Sequence, residues 1–370
     1  MEAVGDRRSA AERELAIQCL AHFTLPVRDF DVGRKFYVDV LGGEVTKEPD
    51  LGALRGGRTF GAHMAIQMFN GEGHLVLYRQ PWGQPLPDQI HPRRALSVES
   101  PEKLDEIIQR LGAAEVPYVL ATPRSAEVEK AVPAAAYFRD PDGNQLAVVC
   151  AWYPFHSGVH VGAFDPWTLA YPWSVWSDGL AAGGTSGAGR QSEPEPLNDR
   201  GFAIVTRELE FQGVDHFTLP VRDLAKARRF YTEVVGAEIV AVDTTEAGAT
   251  EVAASKVQVC PGVTISLVQQ RYGWLPVDVS NPHWAFEIAP GEVDDWVRHL
   301  ESWGVPSALV VREGYVVEEG EPTRVELHFL DPDGNQIELL AYDYAMNRRA
   351  SVGQYNAWDL AYRHDRWLAP

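Results

Sequence analysis

The segment VDHFTLPVRD alternates apolar and polar positions with the period of two expected of a half-buried strand. DLAKARRFYTEVVG, directly after it, carries apolar residues at helical spacing and closes on a glycine, which predicts a helix and its stop. VTISLVQQ and HWAFEIA read as further strands and EVDDWVRHL as a second helix. VELHFLDPDGNQIELLAY reads as two strands joined by a tight turn at its Asp-Gly. The order is strand, helix, strands, then strand, helix, strands again: a pair of βαβββ units.

The same elements occur earlier in the chain. HFTLPVRD stands at His22 to Asp29 and again, unchanged, at His216 to Asp223, while DPDGNQ stands at Asp140 to Gln145 and at Asp331 to Gln336. Between them the helical segments KLDEIIQRLGAAEVP and EVDDWVRHLESWGVP both end in Val-Pro. The match continues past DPDGNQ into aromatic tails, WTLAYPWSVW from Trp167 and WDLAYRHDRW from Trp358. The chain therefore divides into an N-terminal module (1–176), a Gly-, Ser- and Pro-rich flexible linker (177–200) and a C-terminal module (201–370).

Charge narrows the partners. The 370 residues include 33 basic and 52 acidic side chains, a net charge of −19, which repels phosphate backbones and anionic lipid and excludes nucleic-acid and membrane-surface partners. Cys19, Cys150 and Cys260 are far apart and suit a reducing compartment. No apolar run has the length of a signal peptide or a membrane span, so a cytoplasmic protein is expected. Trp358, Tyr362 and Trp367, and their counterparts Trp167, Tyr171 and Trp176, fit packing or a subunit interface, and a homo-oligomer is expected from them.

Taken together, H-x-x-L-x-V-x-D followed by a helix with Phe-Tyr and Gly, the HWAFEI strand and the DPDGNQIEL hairpin resemble the vicinal oxygen chelate superfamily. This superfamily includes glyoxalase I, bleomycin-resistance proteins, methylmalonyl-CoA epimerases and type I extradiol dioxygenases. The resemblance covers roughly residues 17 to 150 and 211 to 344. It implies an α+β chain whose tandem βαβββ repeats form two open mixed-sheet barrels, a divalent metal being held inside by ligands from facing strands. The tandem layout is similar to that of the extradiol dioxygenases, in which the C-terminal module holds iron.

The family's ligand positions fall on His216, His283 and Glu338 in the second copy. Two imidazoles and one carboxylate leave open coordination positions, as a non-haem Fe(II) site requires; Mn(II) and Zn(II) are the alternatives. Alternation along each strand puts Thr218 on the face of His216 and Glu287 on that of His283. In the first copy His22 is kept, but Arg93 or Arg94 stands in the place of His283 and Ala147 in that of Glu338. The first module is therefore expected to be metal-free, with His22 a packed relic of duplication.

Arg324, Glu326 and His328 share one face of their strand. The extradiol family places a substrate-facing tyrosine where this chain has His328, and the first copy keeps it as Tyr137. An imidazole there would act as general acid or base, Arg324 would bind an anionic group of the substrate, or Arg324 and Glu326 would simply pair with each other. Gln269 and Tyr272, with Glu326 and Thr218, complete the expected substrate-binding set. The stretch before His283 lacks the second active-site histidine of the extradiol enzymes. Two reactions follow from the resemblance. One is Fe(II)-dependent dioxygenation of a metal-chelating, dihydroxylated aromatic small molecule with O2; the other is a non-oxidative hydrolase, lyase or isomerase reaction with the metal as Lewis acid.

Overall fold

A computed structural model describes residues 15–49, 63–70, 73–79, 93–122, 131–154, 156–161, 209, 211–243, 254–269, 283–311, 320–347 and 350–352. The linker, both aromatic tails and Tyr272 lie outside the described residues. The predicted elements form where the patterns place them. In the first copy these are β1 (Ile17–Val27), β2 (Glu44–Lys47), β3 (His63–Gln67), β4 (His74–Arg79), β5 (Arg93–Val98), β6 (Tyr118–Thr122), β7 (Ala131–Arg139), β8 (Gln145–Pro154) and the short β9 (His160–Val161). The second copy supplies β10 (Gly213–Val221), β11 (Glu238–Asp243), β12 (Ala254–Cys260), β13 (Val263–Gln269), β14 (His283–Ile288), β15 (Ser307–Val311), β16 (Pro322–Leu330), β17 (Gln336–Ala345) and β18 (Ser351–Val352).

Among the described residues four α-helices accompany the strands: α1 (Phe30–Arg34), α2 (Pro101–Ala113), α3 (Leu224–Arg229) and α4 (Val293–Ser302). α1 and α3 each run on into a π-helical turn, Lys35–Val40 and Phe230–Val234. Asp29 and Asp223, the last residues of the two octapeptides, cap α1 and α3 through their side chains.

The strands form two mixed nine-stranded sheets, as the fold class requires, but neither sheet belongs to one copy. One has the order β18-β15-β16-β17-β14-β1-β4-β3-β2 and the other β11-β12-β13-β10-β5-β8-β7-β6-β9. β1 pairs antiparallel with β14 and β10 pairs antiparallel with β5. Each sheet thus joins the first βαβββ unit of one copy to the second unit of the other. The repeat boundary divides the sequence but not the sheets. The cause is edge pairing, since a strand edge that its own copy leaves open is satisfied by the equivalent edge of the other copy.

The two repeated motifs are the fasteners of this exchange. Arg28 donates from Nε to Asp142 Oδ1 at 2.7 Å and from Nη2 to the Pro141 carbonyl at 3.0 Å. Tyr37 donates to Asp140 Oδ2 at 2.7 Å, and Asn144 donates to the Pro26 carbonyl at 3.0 Å. Arg222 repeats the contacts on Asp333 and Pro332, both at 2.7 Å, and Tyr231 donates to Asp331 at 3.1 Å. In each case HFTLPVRD of one sheet grips the DPDGNQ turn of the other. Gly143 and Gly334 adopt φ of +89° and +88° to close those turns, a conformation open to glycine at no steric cost.

Between the sheets lies a continuous core. Phe23 meets Phe217 edge-on at 5.8 Å, Phe217 meets Trp284 at 5.7 Å, and the guanidinium of Arg94, fully buried, lies 5.3 Å from the Trp284 ring centre. Burial lowers the Arg94 pKa to about 10, so it stays cationic at neutral pH and is stabilised by the indole face.

Separating the copies should therefore expose the edges of β1 and β5. A fragment of residues 1–176 is expected to run as a homodimer that rebuilds the exchanged pairing, measured by light scattering on a sizing column. A stable monomer of that fragment would show that the strands can close within one copy.

Candidate metal centre

Alternation puts Phe23, Trp284, Leu339 and Leu327 into the inter-sheet core and turns their neighbours to the opposite face. Across that face the register sets His328 opposite Glu338, Glu338 beside Ala285, and Ala285 opposite His22. The next row holds Gln336 beside His283. Ala285, wholly buried, puts only a methyl group between Glu338 and His22 in this row.

Three donor atoms converge on this face. His22 Nε2 lies 3.2 Å from His283 Nε2 and 3.8 Å from Glu338 Oε2, and His283 Nε2 lies 3.0 Å from the same oxygen. The structure therefore brings together His283 and Glu338 from the expected set, with His22 in place of His216. Of these three, His22 and Glu338 are buried and His283 is partly so. His216 is in the other sheet, where its Nδ1 stands 3.1 Å from Asp215 Oδ2. What sets His22 rather than His216 beside His283 and Glu338 is strand pairing. β14, which carries His283 and has β17 on its other side, pairs with β1 and not with β10.

Electrostatics fit a cation. Burial, with His283 and Arg324 nearby, lowers the His22 pKa to about 3, so the ring is neutral at physiological pH and offers a lone pair. Burial and the neighbouring Glu326 oppose ionisation of Glu338, yet the surrounding imidazoles hold its carboxyl down at about 2. Glu338 is thus a fully buried carboxylate, and no well-directed hydrogen bond reaches either of its oxygens. A buried anion left in that state is costly unless a cation completes it. Thr24, buried beside the centre, steadies His283: its hydroxyl accepts the His283 backbone N–H at 2.8 Å and stands 3.3 Å from Nδ1. That contact leaves Nε2 facing Glu338. Thr24 and His22 were hidden in the sequence because the octapeptide is identical in both copies.

The other sheet repeats the rows with different residues. Phe217 faces Arg94 as Phe23 faces Trp284, so Arg93 is the register equivalent of His283. Ala147 replaces Glu338 and Tyr137 replaces His328. Thr218 and Gln269, expected at the substrate, belong to this second sheet, Gln269 donating to the Arg222 carbonyl at 3.3 Å.

On β16, Arg324, Glu326 and His328 do share the face of the centre. Arg324 donates to Glu326 Oε1 at 2.9 Å and lies 5.9 Å from the Tyr342 ring centre, which is the mutual pairing foreseen for the two. Glu326 is nevertheless buried, and its other oxygen stands 3.3 Å from His328 Nε2. Among the described residues no helix is long and apolar enough to cross a membrane.

The comparisons agree with this architecture. The chain is 28% identical over 128 residues to the glutathione transferase FosA of Serratia marcescens, covering 35% of this chain and 79% of that protein. The crystal structure of glyoxalase I from Zea mays superposes with a TM-score of 0.52 at 12% identity, over 87% of this chain and 92% of that one, a likeness of fold. A family model matches twice, at residues 20–148 and 213–339. This chain belongs to the Glyoxalase/Bleomycin resistance protein/Dioxygenase superfamily.

Proposed function

We propose that the protein is a divalent-metal enzyme whose ion is held by His22, His283 and Glu338 and whose small-molecule substrate presents neighbouring oxygens to it. The observation that carries this reading is Glu338, a wholly buried carboxylate without a directed hydrogen bond, facing two imidazole nitrogens. Superfamily members are metal-dependent enzymes, and the donor set is of the type that binds Fe(II), Mn(II) or Zn(II). When bound, the ion polarises substrate oxygens and, as Fe(II), admits O2.

The first reading is Fe(II)-dependent dioxygenation of a dihydroxylated aromatic, supported by two imidazoles and one carboxylate with open positions beside them. The second is a non-oxidative Lewis-acid reaction, supported by His328 where the oxygenase resemblance calls for a tyrosine. Residues of this chain do the same work in both. Thr24 orients His283 through its backbone N–H and its ring Nδ1. Arg324 neutralises Glu326 at a partly exposed position where an anionic substrate group would pass.

Anaerobic purification, metal analysis and O2-uptake measurements over a panel of catechols and hydroquinones separate the two. The first reading expects uptake with the Fe(II)-loaded protein for at least one panel member. Absence of uptake across the panel removes it in favour of the second.

A further inference from the structure

We propose that the second sheet has a binding site of its own, on the face equivalent to the metal centre. Its ligand is a small organic acid, held without a metal, whose carboxylate is taken by Arg139 and Gln145.

The strand register allows the two faces to be compared residue by residue. Leu96, Phe138, Leu146 and Phe217 point into the inter-sheet core, so Ala95, Tyr137, Arg139, Gln145, Ala147 and His216 lie on the other face. Four of these form one row, in which His216 pairs with Ala95, Ala95 with Ala147 and Ala147 with Tyr137. The row matches His22, Ala285, Glu338 and His328 of the metal centre. Two methyl groups thus stand between an imidazole and a phenol, across three strand spacings, or about 14 Å between the outer Cα atoms. A floor of that width suits one ring or a chain of a few carbons.

Charge is reversed between the two faces. Ala147 stands where the metal centre has Glu338, Ala135 where it has Glu326, and Ser97 where it has Glu287. Pro133 takes the place of Arg324, while Arg139 replaces Leu330 and Arg93 replaces His283. Over these six positions three acids and one arginine give way to two arginines, a change in formal charge from −2 to +2. Asp215 returns one negative charge at the His216 end, its Oδ2 3.1 Å from His216 Nδ1, and Lys256, in the row of Thr218 and Ser266, offsets it. Among the described residues no group of metal donors forms on this face. A cationic lining without converging carboxylates is built for an anion.

Gln145 marks where that anion binds. Its counterpart Gln336 sets its amide against His328 Nδ1, but Tyr137 replaces that imidazole here. Gln145 is 4% exposed, and its Nε2 meets no hydrogen-bond acceptor among the described residues. A buried N–H left without an acceptor is costly, and an acceptor brought by a ligand removes that cost. Arg139, also buried, is the direct cross-strand partner of Gln145, so a guanidinium and an amide stand side by side one row from the alanines. Neighbouring donors of this kind, one of them charged, match the two oxygens of a carboxylate.

The test is calorimetric titration of the full-length protein after chelator treatment and dialysis, each acid being run beside its amide. The pairs are acetate and acetamide, succinate and succinamide, benzoate and benzamide, and 4-hydroxybenzoate and 4-hydroxybenzamide. At least one acid is expected to bind at one site per chain, with its amide at least about tenfold weaker. Arg139→Gln and Gln145→Leu should each weaken that acid at least about tenfold, while Zn(II) titrates as in wild type. If Arg139→Gln does not fold, Gln145→Leu decides alone, since it replaces the amide by an apolar group of similar size. Binding of none of the acids, or equal binding of acid and amide, overturns the proposal. So does acid binding that is unchanged in folded Gln145→Leu, or that is lost in Glu338→Ala, which would place the acid at the metal centre.

Discussion

His22→Ala abolishes divalent-metal binding and His216→Ala leaves it intact: this is the expected result of a paired titration, followed by metal analysis after gel filtration. His22 supplies one of the three donors that converge within 4.8 Å, while His216 sits in the other sheet beside Asp215. Loss of a support behind a ligand costs roughly 10–100-fold in affinity, and loss of the ligand itself costs more. Because the two histidines open identical octapeptides, the pair of variants is also a test of the strand exchange. The opposite outcome, with metal lost in His216→Ala and kept in His22→Ala, would mean that β10 and not β1 lies beside β14.

The second large effect is on stability. Arg28→Met leaves the Asp142 carboxylate, whose side chain is 1% exposed, without its guanidinium. Removing one partner of a buried pair costs about 3–5 kcal/mol, and because Arg28 is itself partly exposed we expect the lower end, about 3 kcal/mol, by denaturant unfolding at pH 8. The pH dependence follows from Asp142. Burial, with Asp140 beside it, already pushes its carboxyl up to about 7 despite Arg28. A folded-state value above the unfolded one means that the folded protein holds a proton the unfolded chain releases. Protonation of Asp142 therefore favours the folded state as pH falls through 7, and fully so below about 4, where the unfolded carboxyl is protonated too. The deficit of Arg28→Met relative to wild type should shrink between pH 8 and pH 5. A deficit that is constant with pH would mean that Asp142 is not the group left uncompensated.

These fasteners explain why the octapeptide and the hexapeptide are the parts of the duplication that match without change. Arg28 and Asp142 serve the same joint as Arg222 and Asp333, and so do Tyr37 with Asp140 and Tyr231 with Asp331. That joint occurs in both halves whether or not a metal centre is nearby. What is repeated is the construction of the fold. What differs, His283 against Arg93, Glu338 against Ala147 and His328 against Tyr137, is the content of the two faces.

The sequence by itself determined the elements and the duplication, because these follow from local periodicity, capping residues and turn chemistry, and it pointed to the superfamily through motifs that resemble that family's. It also pointed to His283 and Glu338 together, because the superfamily's ligand pattern falls on both. It could not determine which histidine completes that site. His22 and His216 have the same local sequence, and contiguity along the chain made His216 the natural partner. Only the tertiary structure decided, through the pairing of β1 with β14. Backbone hydrogen bonding between strand edges is blind to how far apart those edges are in the chain, and the edge nearest in space belonged to the other copy.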